Sequence, residues 1–177
     1  MGTRHVIQVI DSEGELRVAQ YGQWDGYPSG AGVRTLFYAT YHLKEIEQGL
    51  GRVRWATDEE VDATLDQFPN ASYLGTEDST NLTLLHPNLV RDTGADILMV
   101  VAYSIGEVPL VNNSDFIGES SCEGVYTLNL QDRTYTSTYH DVTFVTKLDE
   151  LPEHTAYLEL YKQAVETAQE QENEEDE

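Results

Sequence analysis

Residues 3–24, TRHVIQVIDSEGELRVAQYGQW, decide the fold because they predict two strands joined by a tight turn. The stretch 3–10 is β-branched and partly alternating, which favours a strand. Residues 11–14, DSEG, supply turn residues, and residues 15–24 are expected to return beside the first strand. An N-terminal hairpin is therefore the first part of the expected sheet.

Helices are predicted in the middle of the chain, where apolar residues recur at helical spacing. The pattern predicts one helix over 33–49 and a second that begins with the capping box at residues 57–60. Residues 70–86 are rich in polar and turn-forming residues, so a loop is expected there. The apolar run within 92–103 favours a helix with Thr93 as its N-cap.

A second hairpin is predicted near the end of the chain, from strands at 124–130 and 134–139. Residues 141–147 are expected to add a strand, and a last helix begins near Pro152 and runs to about residue 169. Strands in hairpins with the helices grouped apart from them indicate an α+β protein rather than alternating parallel units. We expect an antiparallel sheet built from the N-terminal and C-terminal hairpins and packed with three to four helices.

Length and composition indicate one domain with an acidic tail. The chain has 177 residues, of which 40% are apolar, and this is enough for a core. We expect a single globular domain over 1–165 and a frayed or disordered tail over 166–177, which holds seven acids and no base. No apolar run approaches the roughly 20 residues that cross a bilayer, no signal-peptide core is evident, and Cys122 is the only cysteine. These features predict a cytoplasmic protein with no membrane partner.

The charge of the chain limits its partners further. The formal net charge is −22, from 32 acidic and 10 basic residues. Such a charge repels nucleic acids and anionic surfaces, so direct nucleic-acid binding is not expected. A DNA-mimic inhibitor is an alternative that fits the charge, and it would require carboxylates in an ordered stripe. No feature of the sequence indicates an oligomeric state.

Residues 19–32, AQYGQWDGYPSGAG, combine aromatic, polar and glycine residues in a way that suits a binding site better than a core. The aromatic rings can stack on a base or a sugar, and the glutamines and the aspartate can bind polar edges. An arginine lies in the first turn of the following helix, and the first strand is expected to bring two basic residues beside it. The candidate ligand-binding residues are Arg4, His5, Gln20, Tyr21, Gln23, Trp24, Asp25, Tyr27, Gly30, Gly32 and Arg34.

The glycine-rich entrance to the helix also predicts free backbone N–H groups, which form an anion site at the positive end of the helix dipole. The expected ligand is therefore small and polar or phosphorylated, such as a nucleotide. Alternation along the strand places Gln20 on the face opposite Tyr21 and Gln23, so one pocket holds all three only if the strand twists or bulges. A purely structural role, with the rings packed under the helix, is the alternative.

Two segments within the first 35 residues, TRHVIQV and VAQYGQWDGYPSGAG, resemble a family of small uncharacterised proteins from phages, bacteria and fungi. The shared features are a Gly-Thr-Arg-His start and a Gln-Trp-Asp-Gly-Tyr-Pro core. This resemblance implies relatives and no particular reaction.

Two other resemblances imply enzymes. The first strand, turn and second strand are similar in architecture to N-terminal nucleophile hydrolases, which implies an amidohydrolase. Removal of Met1 would expose Gly2, which carries no nucleophile, so Thr3 would serve only after a further cleavage. Asp92-Thr93-Gly94 resembles the motif of retroviral-type aspartic proteases, in which each subunit of a dimer donates one aspartate.

These observations together predict binding rather than catalysis. The five histidines lack the spacing of metal ligands, so neither a metal nor a cofactor is expected. We expect a non-enzymatic protein, of a kind that phages encode, that recognises a small polar or nucleotide-like ligand or a host protein. A sponge for nucleotide signals that counters host defence is one form of this function. The amidohydrolase, the DNA mimic and the aspartic protease are the alternatives.

Overall fold

The computed structural model describes residues 2–73 and 75–175, with side chains described as far as residue 167. The strands are β1 (His5–Ile10), β2 (Leu16–Gly22), β3 (Val53–Trp55), β4 (Val108–Leu110), β5 (Gly124–Asn129), β6 (Thr134–Tyr139) and β7 (Val142–Lys147). The α-helices are α1 (Val33–Gly49), α2 (Asp58–Leu65), α3 (Glu77–Leu85), α4 (Ile97–Tyr103) and α5 (His154–Glu175).

The main sheet joins the two expected hairpins edge to edge, in the order β2-β1-β5-β6-β7. Each hairpin is antiparallel, and the hairpins meet through a parallel pairing of β1 with β5, in which His5 lies opposite Gly124. The α+β class is therefore confirmed, with a sheet that is mostly antiparallel. The parallel contact and the fifth helix go beyond the expected arrangement. Strands β3 and β4 form a separate parallel pair.

The core lies between one face of this sheet and the helices. Alternation turns Ile7 and Val9 of β1 toward α1, where Leu36 and Ile46 are buried against them. Helix α4 packs on α1, and helix α5 packs over β7, where the Phe144 and Tyr157 rings lie 5.6 Å apart. This packing fixes the end of the β1–β2 hairpin and the start of α1 relative to each other.

Local signals located most of these elements. The capping box at the start of α2 is formed, because Thr57 Oγ1 accepts from Glu60 N while the Glu60 carboxylate accepts from Thr57 N. The loop expected over 70–86 is wrong in its second half, where α3 forms. Thr76 caps that helix, since its Oγ1 accepts from Ser79 N, and two acids occupy the first turn.

Two other helix boundaries differ from expectation. Helix α4 is confirmed, but a 3₁₀ turn over Gly94–Asp96 precedes it and Thr93 makes no capping bond, because its hydroxyl donates to Pro87 O instead. Helix α5 runs to Glu175, so the described part of the acidic tail is helical, and fraying of that end stays a prediction. Among the described residues, no helix combines the length and apolar character needed to cross a membrane.

Candidate functional site

A cleft of about 500 Å³ opens where the end of the β1–β2 hairpin meets the start of α1. One wall is the segment from Trp24 to Ala31, together with Arg34 on the first turn of α1. The other wall is the turn of residues 92–95 that precedes α4. His5, the first residue of β1, also lines the cleft. We call this space the His5 cleft.

His5 is the most unusual residue of the cleft. It is only 2% exposed, and neither ring nitrogen makes a hydrogen bond of good geometry to a described residue, although the Thr3 carbonyl lies close to the ring. Burial lowers its pKa from 6.5 to about 4, although the Thr3 carbonyl and the Asp25 carboxylate act in the opposite direction. The ring is therefore neutral at pH 7, with one N–H donor and one acceptor nitrogen. Buried polar groups are normally paired, so two unpaired nitrogens beside a cleft indicate a place for a ligand.

Three glycines make room for the His5 ring. A Cβ atom added at Gly22 would lie 2.2 Å from His5 Cε1, and one added at Gly26 would lie 3.0 Å from Nδ1. A Cβ atom at Gly94 would lie 3.1 Å from Nε2, and Gly94 also has a φ of +48°, where L side chains are strained. The ring is therefore enclosed by backbone from three separate segments of the chain.

Asp25 stands on the wall opposite the turn of residues 92–95, in a backbone conformation that non-glycine residues seldom adopt. Its φ is +57°, and its carbonyl accepts a 2.7 Å hydrogen bond from Ala31 N. That bond ties Asp25 to a π-helical turn over Pro28–Gly32, whose own bond runs from Gly32 N to Tyr27 O, and the turn leads directly into α1. Positive φ at an aspartate and single π-turns are both frequent at functional sites. The conformation holds the Asp25 side chain at the cleft.

Buried tyrosines fix this segment from the side of the sheet. Tyr126 of β5 donates a 2.6 Å hydrogen bond to Gly26 O, and Tyr135 of β6 donates a 2.9 Å bond to Gly32 O. Tyr157 of α5 shares a 2.6 Å hydrogen bond with Ser137 and lies against Gly32, where an added Cβ would be 2.5 Å from its hydroxyl. The two ends of the segment are thus attached to the sheet, so the cleft wall is set by the core.

The charges at the cleft are mostly negative. Asp25 and Asp92 both line it, and Asp92 accepts a 2.9 Å hydrogen bond from the Trp24 indole. Arg34 is the one basic side chain on the lining, and its Nε lies 2.8 Å from Asp96 Oδ1. Tyr38 donates to the same carboxylate, and burial raises the pKa of that tyrosine. The arginine charge is therefore opposed before any ligand binds.

The sequence predicts free backbone N–H groups at the helix entrance, but at three of its residues these groups are already hydrogen-bonded within the chain. This corrects the anion-site prediction. Gly30 N and Gly32 N both donate to Tyr27 O, and Ala31 N donates to Asp25 O. The π-turn uses these donors internally, so they cannot cradle a phosphate.

Six of the eleven predicted site residues line the cleft, namely His5, Trp24, Asp25, Tyr27, Gly30 and Arg34. The others do not line it. Arg4 lies just before β1, and Tyr21 lies opposite Val6, on the face of the sheet away from His5, where it donates to Gln23 Oε1 and packs on Phe116. Gln20 is buried and donates to Val90 O. Gly32 serves close packing against Tyr157. The pairing of β2 with β1 places Gln20 and Tyr21 on opposite faces of the sheet, and Gln23 lies just beyond the strand.

The second wall of the cleft was not predicted as part of this site. Residues 92–95 contain the Asp-Thr-Gly motif, but Asp92 lies in a turn before a 3₁₀ helix and bonds to Trp24. This setting differs from the strand end that the protease resemblance implies. Thr3, the nucleophile required by the hydrolase resemblance, is only 6% exposed. Both enzymatic alternatives stay predictions.

Comparisons add no identity to this geometry. No family model, curated protein or solved structure matches the chain. In the part of the chain whose side chains are described, no group of three or more His, Cys, Asp or Glu residues is placed to hold a metal ion.

Proposed function

We propose that the protein binds a small polar ligand in the His5 cleft. The observation that carries this proposal is the buried, neutral His5 ring with both nitrogens unpaired. His5 lines the cleft, so a ligand that supplies a hydrogen-bond partner to a ring nitrogen would reduce the cost of leaving buried polar atoms without partners. The proposed activity is binding rather than catalysis, and the proposed location is the cytoplasm. Recognition of a host protein stays a prediction.

The charges of the cleft select among polar ligands. Asp25 and Asp92 favour ligands that carry N–H donors or a positive charge, while Arg34 is already paired with Asp96. A phosphate would meet two carboxylates, and the Gly30, Ala31 and Gly32 amides are already hydrogen-bonded. Trp24 and Tyr27 are about half exposed at the rim and can stack on a flat ring. The proposed ligand is therefore a planar, neutral or cationic molecule, such as a nucleoside rather than a nucleotide. A sponge for nucleotide signals would have to bind a phosphate group despite the two carboxylates of the cleft.

Calorimetric titration of a matched pair tests this preference. Guanosine offers adjacent N–H donors on its base, and guanosine monophosphate adds only the phosphate. A size-matched set of cationic, neutral and anionic heteroaromatic fragments extends the comparison. We expect affinity to fall in the order cationic, neutral, anionic, with guanosine binding more tightly than its monophosphate.

Asp25→Asn is the informative variant, because asparagine also tolerates a positive φ and the backbone is kept. Loss of a charge-assisted hydrogen bond should weaken the binding of cationic fragments by about tenfold or more. Asp66→Asn is the matched control, because Asp66 is an exposed residue at the end of α2, outside the cleft. This variant should leave the affinities unchanged. Tighter binding of the anionic probes, or equal effects of the two variants, would contradict the proposal.

A further inference from the structure

The two edges of the main sheet are treated differently by the rest of the chain. At the β2 edge, Ala19 O accepts hydrogen bonds from Asn113 N and from the Asn113 side-chain amide, both at 3.1 Å. Just beyond that strand, Gln23 N donates to Arg91 O. The opposite edge is β7, and no other strand among the described residues pairs with its outer side.

The hydrogen-bond pattern fixes which residues of β7 face outward. His140 N donates to Glu123 O, so the even-numbered residues of β6 bond to β5 and its odd-numbered residues bond to β7. Leu148 N donates to Arg133 O, which agrees with this alternation. The backbone N–H and C=O groups of Thr143, Val145 and Lys147 therefore point away from the sheet. Among the described residues, no hydrogen bond from another segment reaches Thr143 or Val145, while the Lys147 carbonyl begins the 3₁₀ turn over Leu148–Glu150.

This edge lacks the usual protection against strand pairing. Natural edge strands are blunted by prolines, bulges or central charges. Strand β7, VTFVTK, is paired with β6 without a register shift, contains no proline, and carries its only charge at the last position. Val145 at its centre is 57% exposed.

We propose that this edge pairs with the β7 strand of a second copy of the chain, antiparallel and about a two-fold axis, so that two sheets become one. The charges select the register. With Thr143 opposite Val145 of the second copy, these two pairs exchange their N–H and C=O bonds, and Asp141, in the turn just before β7, comes level with Lys147 of the second copy at both ends. Moving the register by one pair, to place Val145 opposite itself, would bring Asp141 opposite Asp149 and lose this complementarity.

Among the residues whose side chains are described, Lys147 pairs only with Glu150, at 3.7 Å, and both side chains are about 70% exposed. Such a surface contact is weak and is readily exchanged for one across the interface. None of the outward residues of β7 itself carries a carboxylate, and the Asp141 carboxylate at each end faces a lysine, which keeps the net charge of −22 from being concentrated at the contact.

Sedimentation equilibrium over a concentration series tests the proposal. The monomer mass is 19.9 kDa, and we expect the wild-type chain to approach twice that mass as concentration rises. Val145→Pro removes one outward N–H without breaking the bonds to β6, so that variant should stay monomeric. Thr136→Lys is the control. Thr136 lies beside Val145 on the same face but inside the sheet, so this variant should dimerise as the wild type does. Thr136→Pro would not serve, because it breaks the sheet.

The charge swap tests the register. Lys147→Glu should weaken association by about tenfold, the change that corresponds to 1.4 kcal/mol. Adding Asp141→Lys to that variant should restore it, because the two charges then attract again in reversed positions. Circular dichroism establishes that each variant is folded. A wild-type chain that is monomeric at every concentration overturns the proposal and leaves the edge to a strand of a different protein. Dimerisation of Val145→Pro, or no restoration by the double variant, overturns it equally.

Discussion

At the scale of single residues, His5 combines a structural cost with a functional opportunity. A buried imidazole with two unpaired nitrogens destabilises the fold, because each nitrogen has lost its hydrogen bonds to water. The surrounding glycines keep the ring in place and leave no room for a larger residue at those positions. This cost is understandable if a ligand supplies the missing partners.

The pKa of His5 predicts a specific dependence of stability on pH. The folded pKa is about 4 and the ordinary value is 6.5, so between these values the unfolded chain binds more protons. The contribution of His5 to stability is therefore present above pH 6.5 and is lost as the pH falls toward 4. From pH 7 to pH 5 this residue should remove about 2 kcal/mol from the free energy of unfolding.

Urea denaturation of His5→Gln at the two pH values measures this contribution. The fall in stability between pH 7 and pH 5 should be smaller in His5→Gln than in the wild type by that amount. His154→Gln, which removes an exposed histidine, is the control and should keep the wild-type difference. An unchanged pH difference in His5→Gln would show that the ring is not buried in its neutral form.

Gly22 provides a second test of the packing around the ring. Gly22→Ala would place a methyl group 2.2 Å from His5 Cε1, and overpacking of this kind costs about 2 kcal/mol. Gly51→Ala is the control, because nothing lies within 4 Å of the added carbon there. Thermal unfolding compares the two. Equal stability of the two variants would contradict the close contact between Gly22 and His5.

At the scale of elements, the segment between β2 and α1 is held by the sheet beneath it. The Tyr126 and Tyr135 hydroxyls bind the carbonyls of Gly26 and Gly32, so strands β5 and β6 determine where the π-turn lies. Sequence patterns located both hairpins, α1 and the α2 capping box, because those signals are local. They did not indicate this attachment, since the bonded residues are about a hundred positions apart.

Removal of one hydroxyl tests that attachment. Tyr126→Phe leaves Gly26 O buried without a partner, which should cost about 1–2 kcal/mol of stability. Tyr103→Phe is the control, because that hydroxyl is at the surface and bonds only to His42, and its loss should stay within about 0.5 kcal/mol. Hydrogen exchange of the Ala31 amide should also rise in Tyr126→Phe alone. An effect no larger than that of the control would mean that the segment is held in another way.

At the scale of the whole molecule, the sequence predicted the class of fold and half of the cleft. The pairing of β2 with β1 places Gln20 and Tyr21 on opposite faces of the sheet, as their alternation predicts, and none of Gln20, Tyr21 and Gln23 lines the cleft. Sequence alone could not bring residues 92–95 to Trp24, because that contact depends on how α4 packs on α1. It also could not foresee that the π-turn would use its own N–H groups. Together these contacts change the expected ligand from a phosphorylated one to a neutral or cationic one.

The most direct test of the central claim is the long-range ¹H–¹⁵N NMR spectrum of the His5 imidazole, recorded with and without the tightest-binding fragment. Before the ligand is added, the two nitrogens should show one neutral tautomer at pH 7. On binding, we expect at least one His5 nitrogen to shift as it gains a hydrogen bond, while the nitrogens of exposed His154 stay unchanged. If every fragment that binds leaves the His5 nitrogens unmoved, the ligand site lies elsewhere and the account of this cleft is wrong.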